Sequence, residues 1–339
     1  MQLQAIGLVL FSVLVPGRMW VGPGKPLAVR IDAPGQVRLI LTEFSGREID
    51  PTGVGGELTQ PRLIVAGGTE VDLRQHFPML AMAGTYVLWA MPPDKNIDQF
   101  IGTPVVISVR PDKRIGAGDS IAVIKMEPLR YAILTAEPGP MTIAFYYDSA
   151  PHTVETIQEF IDQGFYDGLT FHRIVKDYII QGGDPRGDGR GGPGFNIDAE
   201  FSDRPHEKGT VSMSRVEDPL DRQRGGPRPD YANSAGSQFF ICCGREPALD
   251  RRYTVFAKVV EGFDVVKTLD ATPVADRETG RPVNPPVIRK IELKTVTARD
   301  NPYKAIMKLP EETKVPALPT TQPAEPAGPT TRPTAGNAR

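Results

Sequence analysis

Two polar stretches of the chain carry the residue types that could do chemistry. In the first, residues 171–184, Arg173 and Gln181 stand among apolar and aromatic residues in a strand-like pattern that ends in the turn Gly182-Gly183-Asp184. Arg173 and Gln181 are eight residues apart. On extended chain an even separation lets both side chains face the same side of a sheet. The pattern predicts a shallow apolar pocket with a fixed cation.

The second stretch, residues 233–241, has a turn-rich approach followed by a strand that carries Gln238 beside Phe239 and Phe240. No nucleophile is paired with a base, and the four histidines lack the spacing of metal ligands. We therefore expect a non-covalent site with no metal and no cofactor.

Five motifs together resemble one known family. FHRI, QGGDP, GTVSMSR, NSAGSQFFI and LDRRYTVFAKVVEG occur in the order and approximate spacing of the cyclophilins, which are peptidyl-prolyl cis/trans isomerases. The resemblance covers about residues 129–297, roughly half of the chain. It implies a mainly β fold in which a closed antiparallel β-barrel is capped by two helices.

The resemblance also implies roles for individual residues. Arg173 and Gln181 become the catalytic residues, with the arginine donating a hydrogen bond to the prolyl amide nitrogen. Arginine suits this task because it stays charged and carries a rigid fork of donors. The remaining residues that the resemblance assigns to substrate binding are Tyr178, Ile179, Ser214, Arg215, Gln238, Phe240, Leu249 and Tyr253.

Structural alternatives stand beside these roles. Gln181 and Gln238 could instead satisfy buried backbone groups, and the apolar residues could be ordinary core. At the level of the whole protein, an isomerase that assists folding of proline-containing, unfolded or flexible polypeptides competes with a catalytically weak peptide-binding module or scaffold of the same fold. The four matching residues Arg173, Gln181, Gln238 and Phe240 favour the enzyme.

Two departures from the family pattern bear on the site. Tyr253 occupies the position where a pocket histidine is common, which keeps an aromatic wall with a polar tip. Residues 216–232 are an insert, rich in Arg, Asp, Pro and Gly, between the SMSR and NSAGSQ motifs. The insert is either a tolerated surface loop or a flank of the pocket that biases which peptides enter.

The elements that would position these residues begin near Leu129. A β-hairpin is predicted over residues 131–146, a helix from Pro151 to about Gln163, and a second short helix over residues 263–269.

The rest of the chain divides by composition. Residues 15–111 alternate short β-rich runs with Gly and Pro turns and predict a small β-sandwich-like (Ig-like) domain, and residues 112–128 are interpreted as a linker. The Pro/Thr/Ala-rich residues 298–339 predict a disordered tail.

Charge and the first residues limit the partners and the compartment. With 39 basic and 41 acidic side chains the net charge is -2, which excludes the basic field that nucleic acid requires. Residues 1–14 fit either a signal peptide or a first strand, and the apolar run favours export over a cytoplasmic location. No apolar run is long enough to span a bilayer. We expect a monomer.

Overall fold

The computed structural model describes residues 13–17, 20–22, 25–45, 63–93, 99–111 and 122–307. Residues 1–12 of the predicted leader or strand, residues 112–121 of the predicted linker and residues 308–339 of the predicted tail lie outside this part of the chain. Among the described residues, no helix combines the length and the apolar character needed to cross a membrane.

Strands dominate the residues before Leu129. In chain order they are β1 (Leu14–Pro16), β2 (Trp20–Val21), β3 (Ala28–Ile31), β4 (Gln36–Glu43), β5 (Leu63–Ala66), β6 (Glu70–Asp72), β7 (Gly84–Met91), β8 (Val105–Pro111) and β9 (Ala122–Pro128). They form a three-stranded sheet in the order β1-β3-β6 and a six-stranded sheet in the order β2-β9-β8-β7-β4-β5. A short helix, α1 (Leu73–His76), and a 3-10 turn, Pro78–Ala81, follow β6.

The six-stranded sheet is buried on both faces. Leu39, Leu41 and Leu88 belong to the apolar cluster that also contains the three-stranded sheet. The alternating residues Ile40 and Trp89 belong to the cluster of the second half of the chain. Because side chains alternate between the two faces of a strand, burial of both faces suits the long apolar run of β7 and the apolar centre of β4, residues 39–41.

The second half of the chain is an antiparallel sheet that curls around its own core. Its strands are β10 (Arg130–Ala136), β11 (Gly139–Phe145), β12 (Arg173–Val175), β13 (Ile179–Gly182), β14 (Thr210–Met213), β15 (Phe239–Cys242), β16 (Val255–Glu261) and β19 (Ile288–Thr295). They form one eight-stranded sheet in the order β12-β13-β15-β14-β16-β11-β10-β19. A separate ribbon pairs β17 (Val274–Asp276) with β18 (Arg281–Pro282).

Backbone hydrogen bonds join the two edges of this sheet. The segment before β12 and the start of β19 are linked by a bridge between Thr170 and Val287, and the Phe171 amide donates to the carbonyl of Pro286 at 2.9 Å. These bonds give the edge strands partners, and the sheet closes into a barrel. The predicted mainly β class is confirmed.

Two helices pack on the barrel, and both follow from local sequence. The first, α2 (Pro151–Asp162), has proline at its first turn and buries Val154, Ile157, Phe160 and Ile161, which recur at helical spacing. The second, α5 (Phe263–Asp270), buries Val265, Val266 and Leu269. Two further single-turn helices are α3 (Asp221–Arg224) and α4 (Pro229–Ala232).

The six-stranded sheet contacts the barrel through aromatic rings and tyrosine hydroxyls. The Phe44 ring lies 5.9 Å from the rings of both Tyr147 and Tyr303. The Arg110 guanidinium donates to Thr85 Oγ1 at 2.9 Å and to the Tyr147 carbonyl at 3.3 Å. We call the surface formed by Phe44, Thr85, Arg110, Tyr147 and Tyr303 the docking interface.

Two predicted boundaries are corrected by this packing. Residues 122–128 of the predicted linker form strand β9, because Ile124 and Met126 are buried in the core between the two N-terminal sheets. The predicted tail boundary at residue 298 is placed too early. Residues 302–305 form a 3-10 turn, and Tyr303 is fully buried in the docking interface.

Candidate functional site

Neighbouring strands place the predicted catalytic residues in one row. In the antiparallel register Arg173 pairs with Gln181, Gln181 pairs with Phe240, and Phe240 pairs with Ser212. Directly paired residues on antiparallel strands face the same side of the sheet. The row therefore runs across four strands on one face, whereas the alternate residues Ile180 and Ile241 point into the barrel core.

The sequence argument allows Arg173 and Gln181 to share a face if both lie on extended chain. The structure places them on two strands of a hairpin, β12 and β13. The residues between the strands form the turn, where Asp177 has a φ of 59°. The even separation still gives a common face, because directly opposed hairpin positions share a face.

The next row on this face is apolar and forms a packed cluster. Ile179 pairs with Cys242 across β13 and β15, and the turn around Leu249 with the following Tyr253 folds over them. The cluster, which we call the outer pocket, comprises Val175, Tyr178, Ile179, Phe240, Cys242, Leu249 and Tyr253. It is separate from the barrel core and from the core of the N-terminal sheets. Five of the predicted substrate-binding residues, Tyr178, Ile179, Phe240, Leu249 and Tyr253, meet here.

A chain of side-chain amides orients Arg173 beside the outer pocket. The Gln238 amide nitrogen donates to the carbonyl of Gly191 at 2.8 Å. Its oxygen accepts from the Gln181 amide nitrogen at 3.0 Å, and the Gln181 oxygen accepts from the Arg173 guanidinium at 3.4 Å. The Gln181 amide nitrogen also donates to Ser214 Oγ at 3.0 Å. Both glutamine amides are therefore held by protein partners.

Arg173 keeps most of its hydrogen-bonding capacity free. A guanidinium has five N–H donors, and within the part of the chain that the structure describes, the contact with Gln181 is the hydrogen bond made by the Arg173 side chain. Arg173 is only partly buried. The Ile174 amide donates to the Gly280 carbonyl at 2.7 Å, which fixes the outer edge of β12. The arginine is thus positioned by Gln181, and its other N–H groups meet no acceptor among the described residues.

Arg215 has the opposite environment. Its guanidinium donates to the carbonyls of Arg252 and Val216, each at 2.9 Å, and to the Asp221 carboxylate at 2.8 Å. The side chain is 2% exposed and lies over the Tyr253 ring, with 4.4 Å from its central carbon to the ring centroid. Its contacts are with the protein, on the rear of the outer pocket.

His206 is a further residue of this site that the sequence argument did not identify. It is fully buried beneath Phe240, with the two ring centroids 6.1 Å apart and the planes nearly parallel. Its Nδ1 lies 3.1 Å from the Asp250 carboxylate, and its Nε2 lies 3.0 Å from Ser212 Oγ. A carboxylate can only accept, so Nδ1 carries the proton and Nε2 accepts from the serine hydroxyl.

The electrostatics of these buried groups follow from desolvation. Burial lowers the pKa of His206, and the neighbouring Asp250 opposes that change only in part. Burial likewise raises the pKa of the Tyr253 hydroxyl and raises the pKa of the Cys242 thiol to about 12. The outer pocket therefore presents neutral walls near pH 7, with Arg173 as the charged group at its side.

A cavity adjoins the two glutamines, Gln181 and Gln238. It has a volume of about 720 Å³, and its lining includes Ser214 and Gln238 of the predicted site, Phe195, and Val216 at the start of the insert. Phe195 is 53% exposed and Val216 58% exposed. The cavity lies along the same face as the outer pocket, so an extended ligand held at one can reach the other. Among the described residues, no group of three metal-ligating side chains is close enough to hold an ion.

The chain is similar to known proteins over the barrel. A family model described as cyclophilin type peptidyl-prolyl cis-trans isomerase/CLD matches residues 131–293. A peptidyl-prolyl cis-trans isomerase of Synechococcus elongatus is 40% identical over 140 residues, which cover 41% of this chain and 87% of that protein.

Two further similarities cover the same region. Peptidyl-prolyl cis-trans isomerase B of Bacillus subtilis is 38% identical over 138 residues, which cover 40% of this chain and 87% of that protein. A solved structure, a Cryptosporidium parvum cyclophilin type peptidyl-prolyl cis-trans isomerase in the presence of the dipeptide Ala-Pro, is 26% identical with a TM-score of 0.43. That match covers 49% of this chain and 99% of that one.

Proposed function

The chain belongs to the cyclophilin-type peptidyl-prolyl cis-trans isomerases, and on that premise we propose that it accelerates rotation about X-Pro bonds in flexible polypeptides through Arg173. The proposal rests on one observation: Gln181 orients the Arg173 guanidinium beside the outer pocket, and the other N–H groups of that guanidinium meet no acceptor among the described residues. Rotation about a peptide bond has a barrier of about 18–20 kcal/mol. X-Pro bonds populate both isomers enough for their exchange to limit folding.

The outer pocket supplies the binding part of this chemistry. A prolyl ring is apolar and has no N–H, so it can pack against Ile179, Phe240, Leu249 and Tyr253 without leaving a donor unpaired. Burying the ring there fixes one side of the bond while the other side rotates. Because these side chains are neutral, none of them forms an ion pair with Arg173.

Arg173 supplies the electrostatic part. As the amide twists, conjugation is lost and the proline nitrogen regains a lone pair that can accept a hydrogen bond. A guanidinium N–H placed beside that nitrogen stabilises the twisted state more than the planar one, which is the condition for catalysis. No covalent bond is made or broken, and no proton is transferred.

The cavity beside the glutamines favours a polypeptide substrate over a small molecule. A chain that leaves the outer pocket along the face passes the two glutamines and reaches the cavity lined by Phe195 and Val216. Side chains flanking the proline can enter it. We therefore propose unfolded or flexible chains as substrates and assistance of protein folding as the role. A peptide panel assayed with and without residues 217–231 would detect any influence of the insert on preference.

The test is a protease-coupled proline-peptide assay on wild type, Arg173→Ala and Arg289→Ala. Arg289 is a matched control, since it is an exposed arginine on β19 and lies outside the row of paired residues that contains Arg173. Removing one donor to a transition state typically costs about 10²–10³ in rate. We expect a loss of that size for Arg173→Ala and wild-type rates for Arg289→Ala. Equal, near-background rates for wild type and Arg173→Ala would contradict the proposal.

The folding role has its own measurement. Refolding of a protein whose slow phase is limited by proline isomerisation should accelerate with wild type and not with Arg173→Ala. An unchanged slow phase with an active wild-type enzyme would separate peptide catalysis from the folding role.

We also propose export of the protein, on the basis of the apolar residues 5–15. Cell fractionation with sequencing of the mature N-terminus tests this proposal. An uncleaved chain confined to the cytoplasm would contradict it.

A further inference from the structure

The insert, residues 216–232, is an ordered substructure built around a buried carboxylate. Asp218 is 2% exposed. It accepts hydrogen bonds from the backbone amides of Leu220 and Arg228, at 2.9 and 2.8 Å, and from the Arg228 guanidinium at 2.9 Å. These bonds lower the pKa of Asp218, with the Arg228 side chain as the largest cause. A buried, fully paired carboxylate fixes the path of the insert.

Hydrogen bonds join the two ends of the insert beside the cavity that adjoins the glutamines. The Val216 amide donates to Ser234 Oγ at 2.9 Å, and the Ser234 hydroxyl donates to the carbonyl of Tyr231 at 2.7 Å. The insert therefore leaves and rejoins the barrel at one neck, next to Ser214 and Gln238. Its position relative to the site is set at that neck and by the contacts that it makes beyond it.

Asp221 makes the contact that reaches from the insert to the site. Its carboxylate accepts from the Arg215 guanidinium at 2.8 Å and from the Arg252 guanidinium at 3.2 Å. Asp221 is 8% exposed. A carboxylate at this depth is costly unless it is paired, so both arginines are held close to it.

Arg215 carries the constraint to the pocket wall. Its Nε, Nη1 and Nη2 atoms donate to the Arg252 carbonyl, the Val216 carbonyl and Asp221, and its flat face covers the Tyr253 ring. The Tyr253 ring also makes a T-shaped contact with the Phe240 ring, with centroids 5.4 Å apart. The tyrosine thus contacts both the Arg215 guanidinium and Phe240 of the outer pocket.

We infer that Asp221 is a positioning residue for the isomerase site: through Arg215 it fixes the Tyr253 ring as a wall of the outer pocket. The insert then acts as a brace, which means that its contact with Arg215 supports the Tyr253 ring of the outer pocket. Its residue Val216 also lines the neighbouring cavity. This inference rests on the proposed function, because its kinetic readout is the isomerase rate. Asp221 itself touches no substrate in this scheme.

The test compares Asp221→Asn with Asp230→Asn. Both variants remove one negative charge from the insert, but Asp230 is exposed and makes no contact with Arg215. We expect Asp221→Asn to lower kcat/KM roughly tenfold, in the range of coupling between contacting residues. Asp230→Asn should stay within about twofold of wild type, and Asp221→Glu, which keeps the carboxylate, should recover most of the loss.

A double-mutant cycle with Tyr253→Ala separates the brace from a general loss of structure. If Asp221 acts through Tyr253, Asp221→Asn has no further effect on kcat/KM in the Tyr253→Ala background. An equal loss in both backgrounds would overturn the inference. Should Asp221→Asn not fold, Arg215→Lys takes its place in the cycle, because lysine keeps the charge but lacks the flat fork.

An activity-independent readout keeps this inference separable from the proposed function. In NMR spectra of tyrosine-labelled protein, with Tyr253→Phe for assignment, the Tyr253 ring resonances should shift or broaden in Asp221→Asn and remain unchanged in Asp230→Asn. Unchanged Tyr253 resonances in a folded Asp221→Asn protein would overturn the brace even if the enzyme is active. If the resonances shift in Asp221→Asn but the wild-type protein has no isomerase activity, the brace stands and the isomerase proposal is overturned.

Discussion

The outer pocket and the docking interface involve different strands of one barrel and are built from similar residues. At the docking interface the Tyr147 hydroxyl has three hydrogen-bond partners: the Arg130 amide and carbonyl, each at 3.2 Å, and the Gln158 amide at 2.7 Å. At the outer pocket Arg173 has one long contact at 3.4 Å. The docking interface pairs its tyrosine hydroxyls with protein groups, although the buried Arg110 Nε has no hydrogen-bond partner among the described residues, whereas a surface that acts on a ligand needs donors that the ligand can reach.

The strongest way to break this comparison is to remove an aromatic ring from the docking interface. Tyr303 is fully buried, and its hydroxyl donates to the Arg130 carbonyl at 2.7 Å and accepts from the Phe145 amide at 3.1 Å. Tyr303→Ala should lower the free energy of unfolding by about 3–5 kcal/mol, as for other large aromatic side chains in cores. Denaturant unfolding measures this.

Tyr303→Phe is the matched control for that experiment. It removes the hydroxyl alone and should cost about 1–3 kcal/mol, because two buried backbone groups lose a partner. The isomerase rate per folded molecule should not change in either variant. A fall in rate without a fall in stability would place Tyr303 in the site.

Exchanging arginine for lysine on each surface sharpens the contrast. Arg173→Lys keeps the charge but loses the fork, so kcat/KM should fall about 10- to 100-fold, with stability unchanged within about 0.5 kcal/mol. Arg110→Lys loses bonds to Thr85 and Tyr147. It should lower stability by about 1–2 kcal/mol and leave the rate unchanged. The same outcome for both variants, in rate or in stability, would refute the distinction.

A glycine links the outer pocket to stability. Gly280 has a φ of 75°, and a Cβ there would lie 2.8 Å from the Ile174 carbonyl on β12. Gly280→Ala should therefore cost about 1–3 kcal/mol and also reduce kcat/KM, because β12 carries Arg173. Gly68 is the control, since it has a φ of 77° with open space around its Cβ position. Gly68→Ala should reduce stability less and leave the rate unchanged; equal losses would show that backbone strain alone accounts for the effect.

The pH dependence of stability gives the mildest test of the outer pocket. Burial lowers the pKa of His206 below its ordinary value of 6.5, so the unfolded chain binds more protons than the folded one below about pH 6.5. The stability contributed by neutral His206 is complete above that pH and is lost as the pH falls towards the folded pKa. Burial lowers the pKa of His172 as well, in the same direction.

Thermal unfolding at pH 7.5 and pH 5.5 measures this effect. Wild type should melt at a lower temperature at pH 5.5, and His206→Gln should show a smaller difference between the two pH values. An identical difference in wild type and His206→Gln would show that His206 does not titrate as its burial requires.

Some site residues were predictable because local patterns carry them. The motifs around Arg173 and Gln238 hold apolar and polar residues in strand alternation, and alternation decides which side chains share a face. The family resemblance added Tyr253 and Leu249, whose segment has no strand pattern of its own. The actual pairing of Arg173 with Gln181 across a hairpin was not predicted, because an even separation fits both a straight strand and a symmetric turn.

Other features had no local signal. His206 reaches Ser212 and Asp250 by way of turns, so neither partner stands at a periodic spacing from it. Tyr303 stands in a proline-rich segment that reads as unstructured, yet its ring fills a gap between the sheet and the barrel. The strand over residues 122–128 follows a segment, residues 111–118, whose Pro, Gly and charged residues favour a linker, and its strand pairing with β8 depends on contacts that composition does not encode.

The sequence by itself determined the mainly β class, the family of the barrel and the positions of its polar residues, because these depend on short-range alternation and on motifs of fixed spacing. Only the tertiary structure decided which arginine is free and which is saturated. Arg173 begins β12 and Arg215 follows β14, each within one of the five motifs described above. No local pattern distinguishes the two arginines. The distinction comes from Asp221 and the Arg252 carbonyl, which reach Arg215 only after the insert has folded.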